Sequence, residues 1–168
     1  MKTSKAVAVF AGSFDPFTNG HSDIMHRALA IFERVIVAVA ADQGSNALFS
    51  LEERIELIKK VSAQSRDRIL VEGFHGLLVD YLKSQGATIL VRGLRAVSDY
   101  DYEAQMALMN KSLWDEVETV FLVSREENSY ISSTLVRHVA SLGGDVSRYV
   151  SADVNRALRG KFKSTEVK

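Results

Sequence analysis

One turn near the start constrains the fold of this chain more than any other segment. The sequence GSFDPFTNGH at residues 12–21 follows a short, valine-rich apolar run at residues 6–10 and precedes apolar residues at helical spacing in residues 22–32. The first pattern predicts a buried strand and the second an amphipathic helix. In open α/β sheets such strand-to-helix turns bind ligands, and the free N–H groups of the helix favour an anion. We therefore expect residues 12–21 to bind an anionic ligand.

The remainder of the chain continues the alternation of strands and helices. Further strands are predicted at residues 35–40, 69–71, 88–91 and 120–123, and helices at residues 50–61, 77–85, 98–113, 133–142 and 151–158. Apolar strands that alternate with helices are typical of a parallel sheet covered on both faces. The sequence thus predicts a single α/β domain at residues 1–160, a doubly wound, Rossmann-like, five-stranded parallel sheet with helices on both faces. A flexible C-terminal tail is predicted at residues 161–168.

The composition narrows the classes of function. Lys and Arg together number 21, as do Asp and Glu, so the formal net charge is zero and the basic excess of a nucleic-acid binder is missing. There is no cysteine, which excludes disulfides, thiol catalysis and cysteine-ligated metal sites. No apolar run suits a secretory signal or a membrane span. We therefore expect a cytoplasmic protein without a membrane or nucleic-acid partner.

Two motifs far apart in the chain resemble signatures of the nucleotidylyltransferase superfamily. Thr18-Asn19-Gly20-His21 resembles its T/H-x-G-H motif, and ISSTLVR at residues 131–137 resembles its second signature. Between them, VRGLRAVSDYDYE at residues 91–103 resembles one branch, bacterial phosphopantetheine adenylyltransferase. Threonine at position 18, where many other members have histidine, also favours this branch. The similarity extends over residues 6–158.

This resemblance implies an activity and its partners. Members of the branch transfer the adenylyl group of ATP to 4′-phosphopantetheine, which yields dephospho-coenzyme A and pyrophosphate by direct in-line displacement without a covalent intermediate. The resemblance also implies Mg²⁺ bound mainly through the ATP phosphates, a homohexamer built as a dimer of trimers, and feedback inhibition by coenzyme A. Such a reaction needs alignment and neutralisation of charge rather than a nucleophilic side chain, because the attacking phosphate is already ionised.

The resemblance assigns roles to residues in each motif. His21 is the predicted catalytic residue, because a ring nitrogen at a helix N-terminus can donate a hydrogen bond to the α-phosphate as negative charge builds there. ATP binding is assigned to Ser13, Phe14, His21, Gly93, Leu94, Arg95, Glu103, Asn128, Ser129, Tyr130, Ile131, Ser132, Ser133 and Thr134. Acceptor binding is assigned to Ser13, Ser45, Leu78 and Arg92. No residues with the spacing of a metal site are identified.

Each assignment has a structural alternative in the sequence itself. His21 is equally suited to cap a helix. Arg92 and Arg95, which stand on either side of a short turn, are also ordinary residues for a solvated loop. Glu103 stands near a predicted helix N-terminus, where acidic residues are favoured on electrostatic grounds. Asp15 is expected to hold its turn together through its own backbone.

The chain departs from the resembled branch at two positions. Relatives carry a lysine where Ser45 stands, in the loop after the second strand, and often an aromatic residue where Asn128 stands. We expect the missing lysine to weaken substrate binding or to slow turnover relative to lysine-bearing relatives. Activity should survive, because His21, Arg92 and Arg95 still supply hydrogen-bond donors and charge.

Two other functions stay open at this point. Another small nucleotidylyltransferase, acting on nicotinamide mononucleotide or glycerol phosphate, would use the same turn, although Thr18 and residues 92–103 favour the phosphopantetheine branch. A non-catalytic nucleotide-binding regulator would keep the fold without the chemistry, and Ser45 is the feature that favours it.

Overall fold

The structure, a computed structural model, describes residues 4–41, 47–95 and 97–163. Five strands lie within these residues: β1 (Ser4–Gly12), β2 (Phe32–Ala40), β3 (Ile69–Phe74), β4 (Ile89–Leu94) and β5 (Glu118–Val123). They form one parallel sheet in the order β3-β2-β1-β4-β5. The predicted five-stranded, doubly wound α/β fold is therefore confirmed.

The α-helices of the described residues lie between these strands and after the last one. They are α1 (Asn19–Ile31), α2 (Leu51–Val61), α3 (Leu78–Ser84), α4 (Val97–Leu113), α5 (Ser133–Ser141) and α6 (Ala152–Lys163). Helix α6 continues past its predicted end because Phe162 packs on the apolar cluster beneath it and Lys161 pairs with Glu53 at 2.8 Å. Residues 161–163, predicted to belong to a flexible tail, are therefore helical. Residues 164–168 lie outside the described part of the chain.

The central strands bury side chains on both faces of the sheet. On one face Phe10 of β1 and Val37 of β2 join a core with Met25 of α1. On the other face Val9 of β1 joins a second core with Leu82 of α3. Because successive side chains of a strand point to opposite faces, a central strand covered on both sides must be apolar throughout. This is the physical reason for the unbroken apolar runs in the sequence.

The order of the strands reverses at β1. This strand pairs with β2 on one side and with β4 on the other, so the chain first moves outward to β3 and then crosses back to β4 and β5. A reversal of this kind opens a crevice outside the carboxyl ends of the two strands concerned. The turn after β1 and the loop after β4 therefore meet at one edge of the sheet.

Gly12→Ala should destabilise the fold. A Cβ at this position would lie 2.9 Å from two ring carbons of Phe14, whose ring is packed in the core, so the ring or the strand must shift. Overpacking of this kind costs about 1–3 kcal/mol. The free energy of unfolding from a denaturant titration measures the effect.

Gly160→Ala is the matched control. Its Cβ would meet no described atom within 4 Å beyond its own helix backbone, and it lies inside α6. Alanine is favoured over glycine in a helix interior by about 0.5–1 kcal/mol, so this variant should be more stable than the wild type. Equal changes in the two variants would contradict the packing argument.

Candidate active site

A cavity of about 420 Å³ opens at the carboxyl ends of β1 and β4. Its wall is formed by the turn after β1, the loop after β4 and the start of α5. The lining includes Gly12, Ser13, Phe14, Asp15, Thr18, His21, Arg92, Gly93, Arg95, Glu103, Ile131, Ser132, Ser133, Thr134 and Arg137. The fold thus brings to one place three motifs that are far apart in the chain.

Some of the predicted site residues are not part of this lining. Leu94, Asn128, Ser129 and Tyr130 do not belong to the lining of this cavity, and Leu78 lines a smaller cavity beside it. Ser45 lies outside the described residues. The binding roles predicted for these residues stay predictions.

His21 caps helix α1 with both its ring and its backbone. The N–H of Thr18 donates to Nδ1 of His21 at 3.0 Å, and the N–H of His21 donates to Oγ1 of Thr18 at 3.4 Å, which makes a reciprocal capping box. Because Nδ1 accepts a hydrogen bond, the proton of the neutral ring lies on Nε2. The capping alternative is therefore realised, and Nε2 can still donate a hydrogen bond to a ligand in the cavity.

The surroundings of His21 hold its ring in the neutral form. The rings of Phe14 and Phe17 lie 5.1 and 5.4 Å from it, centroid to centroid. Burial above all, and then the charges of Arg95 and Arg92, lower the pKa of His21 from 6.5 to about 3. At neutral pH the ring therefore offers a hydrogen bond to an anion without carrying a charge itself.

Glu103 orients Arg92 at the cavity wall. Nε of Arg92 donates to Oε2 of Glu103 at 2.7 Å, Nη2 donates to Oε1, and Nη1 donates to the carbonyl of Ala11. Such a bidentate pair fixes the plane of the guanidinium. Both carboxylate oxygens of Glu103, which the sequence assigns to ATP binding, are therefore engaged by Arg92.

Arg95 connects the loop after β4 to the segment before α5. Its Nε donates to Oδ2 of Asp99 at 3.0 Å, and its Nη1 donates to the carbonyl of Ile131 at 3.3 Å. The same Asp99 oxygen accepts the backbone N–H of Arg95 at 3.2 Å. Arg92 at the end of β4 and Arg95 in the loop after it are therefore both held by defined partners at the edge of the cavity.

The serines at the start of α5 have structural partners of their own. Oγ of Ser132 accepts the N–H of Leu135 at 3.1 Å and caps the helix. Oγ of Ser133 donates to the carbonyl of Pro16 at 2.8 Å and so ties α5 to the turn after β1. The cavity wall thus carries the N-termini of α1 and α5, where the helix dipoles favour an anion.

Asp15 does not act as the sequence predicts. Its carboxylate bonds no backbone group of its own turn, but accepts the N–H of Leu48 at 2.8 Å and of Phe49 at 3.0 Å and pairs with Nη1 of Arg137. Only 4% of the residue is exposed. Asp15 therefore connects the turn to α5 and to the chain entering α2. No local pattern in the sequence identifies partners at such a distance.

Arg54 of α2 is absent from the predicted site, although its side chain reaches the turn after β1. It is 2% exposed and donates to the carbonyls of Ser13 at 2.7 Å and Ala40 at 2.9 Å. Burial, opposed by nearby carboxylates, lowers the pKa of its guanidinium from the ordinary value. The helical period of the sequence could have identified Arg54, because it places this arginine on the buried face of α2 together with Leu57.

A smaller cavity of about 80 Å³ lies beside the first, and Arg92 and Glu103 line both. Its other walls come from Leu78, Leu90, Tyr102, Met106, Ala107, Asn110 and Thr119. Asn110 is 6% exposed, and its side-chain amide has no hydrogen-bond partner among the described residues. In the described part of the chain every fully buried polar side-chain atom has a partner, so this amide keeps some accessible surface, and Asn110 lines the cavity.

Neither a metal centre nor a helix that spans a bilayer is found in the described ranges. No three or more His, Asp or Glu side chains there are grouped so that they could hold a metal ion. The helices of this part of the chain all lack the length or the hydropathy that a membrane crossing needs. Of the cavity's carboxylates, Asp15 and Glu103 each hold an arginine.

The sequence matches a protein-family model described as cytidylyltransferase-like over residues 9–139. This range contains the turn after β1, the loop after β4 and the motif at the start of α5. It also covers well over half of the chain.

Solved structures of adenylyltransferases are similar to this chain. One is a bifunctional NMN adenylyltransferase/ADP-ribose pyrophosphatase from Francisella tularensis complexed with AMP and a manganese ion, with a TM-score of 0.71 and 16% identity. That match covers 94% of this chain and 49% of the other, so this chain spans about half the length of that protein. Another is the nicotinic acid mononucleotide adenylyltransferase of Plasmodium falciparum complexed with NaAD, with a TM-score of 0.70 and 16% identity over 98% of this chain and 99% of that one. At this identity the likeness establishes the fold alone.

His21→Asn should make the stability less dependent on pH. The pKa of His21 is 6.5 in the unfolded chain and about 3 in the folded protein. As the pH falls below 7, the unfolded chain therefore binds a proton that the folded protein does not, and the wild type loses stability. Asparagine does not titrate and removes this loss. Between pH 7 and pH 5 the wild type should lose about 1–2 kcal/mol more than the variant. Free energies of unfolding of both proteins at both pH values measure the difference.

The comparison isolates residue 21, because the other histidines are the same in both proteins. The asparagine carbonyl also keeps an acceptor for the N–H of Thr18, so the helix cap survives. An NMR titration in which the ring of folded His21 gains its proton near pH 6.5 would contradict the prediction.

A double-mutant cycle on Asp15→Asn and Arg137→Gln should show a coupling free energy of about 1–3 kcal/mol, because the two groups are in direct contact and Asp15 is buried. The exposed pair Asp153–Arg156 on α6, at 3.1 Å, is the control. Its cycle should give less than about 0.5 kcal/mol. Denaturant unfolding measures both cycles, and similar coupling in the two would show that Asp15 does not hold the turn through Arg137.

Proposed function

This chain belongs to the cytidylyltransferase-like family, and we propose that it transfers the adenylyl group of ATP to 4′-phosphopantetheine. The products would be dephospho-coenzyme A and pyrophosphate. The observation that supports the proposal most is the convergence of Nε2 of His21, the guanidinium groups of Arg92 and Arg95, and two helix N-termini on one cavity. Together these groups can neutralise polyphosphate charge without a nucleophilic side chain.

The proposed reaction is an in-line displacement at the α-phosphorus of ATP. An oxygen of the acceptor's phosphate forms the new bond to this phosphorus. The bond from the α-phosphorus to the oxygen bridging the β-phosphorus breaks, and pyrophosphate leaves with the electron pair. No base is needed, since the acceptor's phosphate is ionised near neutral pH. The protein's task is to hold the two phosphates in line and to stabilise the charge on the α-phosphate.

In this mechanism His21 and Arg95 act on the nucleotide. The N–H at Nε2 of His21 donates to an oxygen of the α-phosphate, and the hydrogen bond strengthens as negative charge builds there. Arg95, which also lines the cavity, offsets the charge of the phosphates that leave.

The acceptor is proposed to place its phosphate at Arg92 and its arm in the smaller cavity. The arm of 4′-phosphopantetheine is thin and combines methylene groups with amides. The smaller cavity has mostly apolar walls, and the accessible amide of Asn110 offers a hydrogen bond to an amide of the arm. A ligand amide that forms a hydrogen bond with this accessible group, inside a mostly apolar cavity, gains affinity. The predicted contact of Leu78 with the arm fits this placement.

We include Mg²⁺ in the proposal as an ion that enters with the nucleotide. Mg²⁺ commonly binds through substrate phosphates and keeps several water ligands. The carboxylates of Asp15 and Glu103 are already engaged with arginines, which fits an ion held by ATP rather than by the protein. When bound, it would offset charge on the triphosphate. A cytoplasmic location, a homohexamer built as a dimer of trimers and feedback by coenzyme A also belong to the proposal and rest on the sequence resemblance.

Nicotinamide or nicotinic acid mononucleotide is the second candidate acceptor. The similar solved structures are adenylyltransferases named for these nucleotides. Their phosphate could also be held by Arg92. The narrow second cavity with its accessible amide is the feature that favours the phosphopantetheine arm over a second ribose.

An acceptor assay separates the candidates. The protein is incubated with ATP, Mg²⁺ and one candidate acceptor in each reaction. The acceptors are 4′-phosphopantetheine, nicotinamide mononucleotide, nicotinic acid mononucleotide and glycerol 3-phosphate. Glycerol 3-phosphate is also tested with CTP in place of ATP. Of these acceptors, we expect only 4′-phosphopantetheine to give pyrophosphate release. With that acceptor, the kcat of His21→Asn should be about 10²–10³-fold lower than that of the wild type. Pyrophosphate release with a mononucleotide instead would show that the mononucleotide, and not 4′-phosphopantetheine, is the acceptor. A lack of pyrophosphate release with every acceptor would contradict adenylyl transfer and favour a non-catalytic nucleotide-binding regulator.

Asn110→Leu should weaken acceptor binding specifically. Leucine keeps the side-chain volume but removes the amide, so the KM for 4′-phosphopantetheine should rise about tenfold while the KM for ATP stays within twofold. The free energy of unfolding should not fall, because the amide has no hydrogen-bond partner among the residues that the structure describes. Asn155→Leu on α6, away from both of these cavities, is the control and should change neither KM. An unchanged acceptor KM in Asn110→Leu would rule out this placement of the arm.

A further inference from the structure

Arg54 of α2 fastens three separate segments at the carboxyl edge of the sheet. Its Nη1 donates to the carbonyls of Ser13 at 2.7 Å and Ala40 at 2.9 Å, and its Nε donates to the carbonyl of Ser50 at 3.3 Å. Ser13 follows β1, Ala40 ends β2 and Ser50 caps α2. One guanidinium can serve several acceptors at once because its donors are fixed in a plane.

The residue after Ser13 has a backbone conformation that needs support. The φ angle of Phe14 is 52°, in the left-handed region that residues other than glycine rarely adopt. Such a conformation persists only where the surroundings hold it, and it is commonest at functional sites. The ring of Phe14 is held by edge-on contacts with Phe10 and Phe17. Arg54 holds the carbonyl that precedes it.

Fixing the carbonyl of Ser13 also fixes the N–H of Phe14. The two groups belong to one planar trans peptide unit, in which C=O and N–H point in opposite directions. Both residues line the larger cavity, so this peptide is part of its wall. If this peptide rotated, the N–H of Phe14 would change direction and the carbonyl oxygen of Ser13 would take its place. A carbonyl oxygen repels phosphate oxygens.

We propose that Arg54 is a positioning residue of the nucleotide site. It holds the Ser13–Phe14 peptide so that the N–H of Phe14 is available to a phosphate of the bound nucleotide. Arg54 acts through this backbone and touches no substrate. The inference rests on the proposed function, since it takes ATP as the ligand of the cavity.

Arg68, which is exposed whereas Arg54 is buried, provides a comparison of the same hydrogen-bond chemistry within the chain. Its Nε donates to the carbonyl of Glu33 at 2.8 Å, and its Nη2 donates to those of Leu29 at 2.7 Å and Phe32 at 2.8 Å. Arg68 thus also joins three backbone carbonyls, but it does so where α1 ends and β2 and β3 begin, at the opposite edge of the sheet. The two arginines use the same chemistry, and only Arg54 does so beside the cavity.

The test compares Arg54→Lys and Arg54→Gln with Arg68→Lys and Arg68→Gln. Unfolding titrations measure stability, and calorimetry measures the affinity of each protein for ATP and for adenosine, which lacks phosphates. All four variants should lose stability. In the Arg54 variants alone, ATP should bind about tenfold more weakly while adenosine affinity stays within twofold. Arg54→Lys should retain more ATP affinity than Arg54→Gln, because the ammonium still reaches one or two carbonyls.

The possible results separate the inference from the function on which it rests. If the wild type does not bind ATP, the proposed function fails. If the wild type binds ATP but the Arg54 variants match the Arg68 variants, or lose ATP and adenosine affinity equally, the positioning role is wrong. If neither Arg54 variant folds while both Arg68 variants do, Arg54 is required for the fold and the positioning role is rejected.

Discussion

The turn between β1 and α1 depends on charged side chains that reach it from distant parts of the chain. Arg54 takes the carbonyl of Ser13, and Asp15 takes two backbone N–H groups ahead of α2 and the guanidinium of Arg137. Burial removes water as a competing partner, so each contact holds the turn more firmly than it would at the surface. A loop fixed in this way can present its N–H groups to an anion without reorganising when the anion arrives, and such preorganisation is the main source of electrostatic catalysis.

His21 shows how one side chain serves both the fold and the chemistry. Its Nδ1 completes the cap of α1, and this hydrogen bond determines that Nε2 carries the proton. Aromatic rings and two nearby arginines keep the imidazole uncharged. The cap and the proposed role of His21 are therefore compatible, because the cap fixes the proton on Nε2, from which a hydrogen bond to a phosphate would be donated.

The ion pair between Arg92 and Glu103 forms a wall shared by the two cavities. A phosphate held at this wall would lie close to a nucleotide held between α1 and α5. Proximity of two phosphates is unfavourable in water because like charges repel, so a fixed guanidinium between them contributes directly to alignment. If the proposed acceptor binds at Arg92, the restriction that Glu103 places on this side chain would lower the entropy lost on binding.

The sequence by itself determined the alternation of strands and helices, the parallel sheet, and the position of the candidate site at the turn after β1. These features depend on hydrophobic period and turn residues, which are local properties of a few neighbouring residues. The tertiary structure alone decided which charges meet. Asp15 and Arg137 stand 122 residues apart, and neither their contact nor that of Arg54 with Ser13 leaves a mark on the sequence around them. Such pairs form only after the sheet order has brought the segments together and burial has withdrawn water from them.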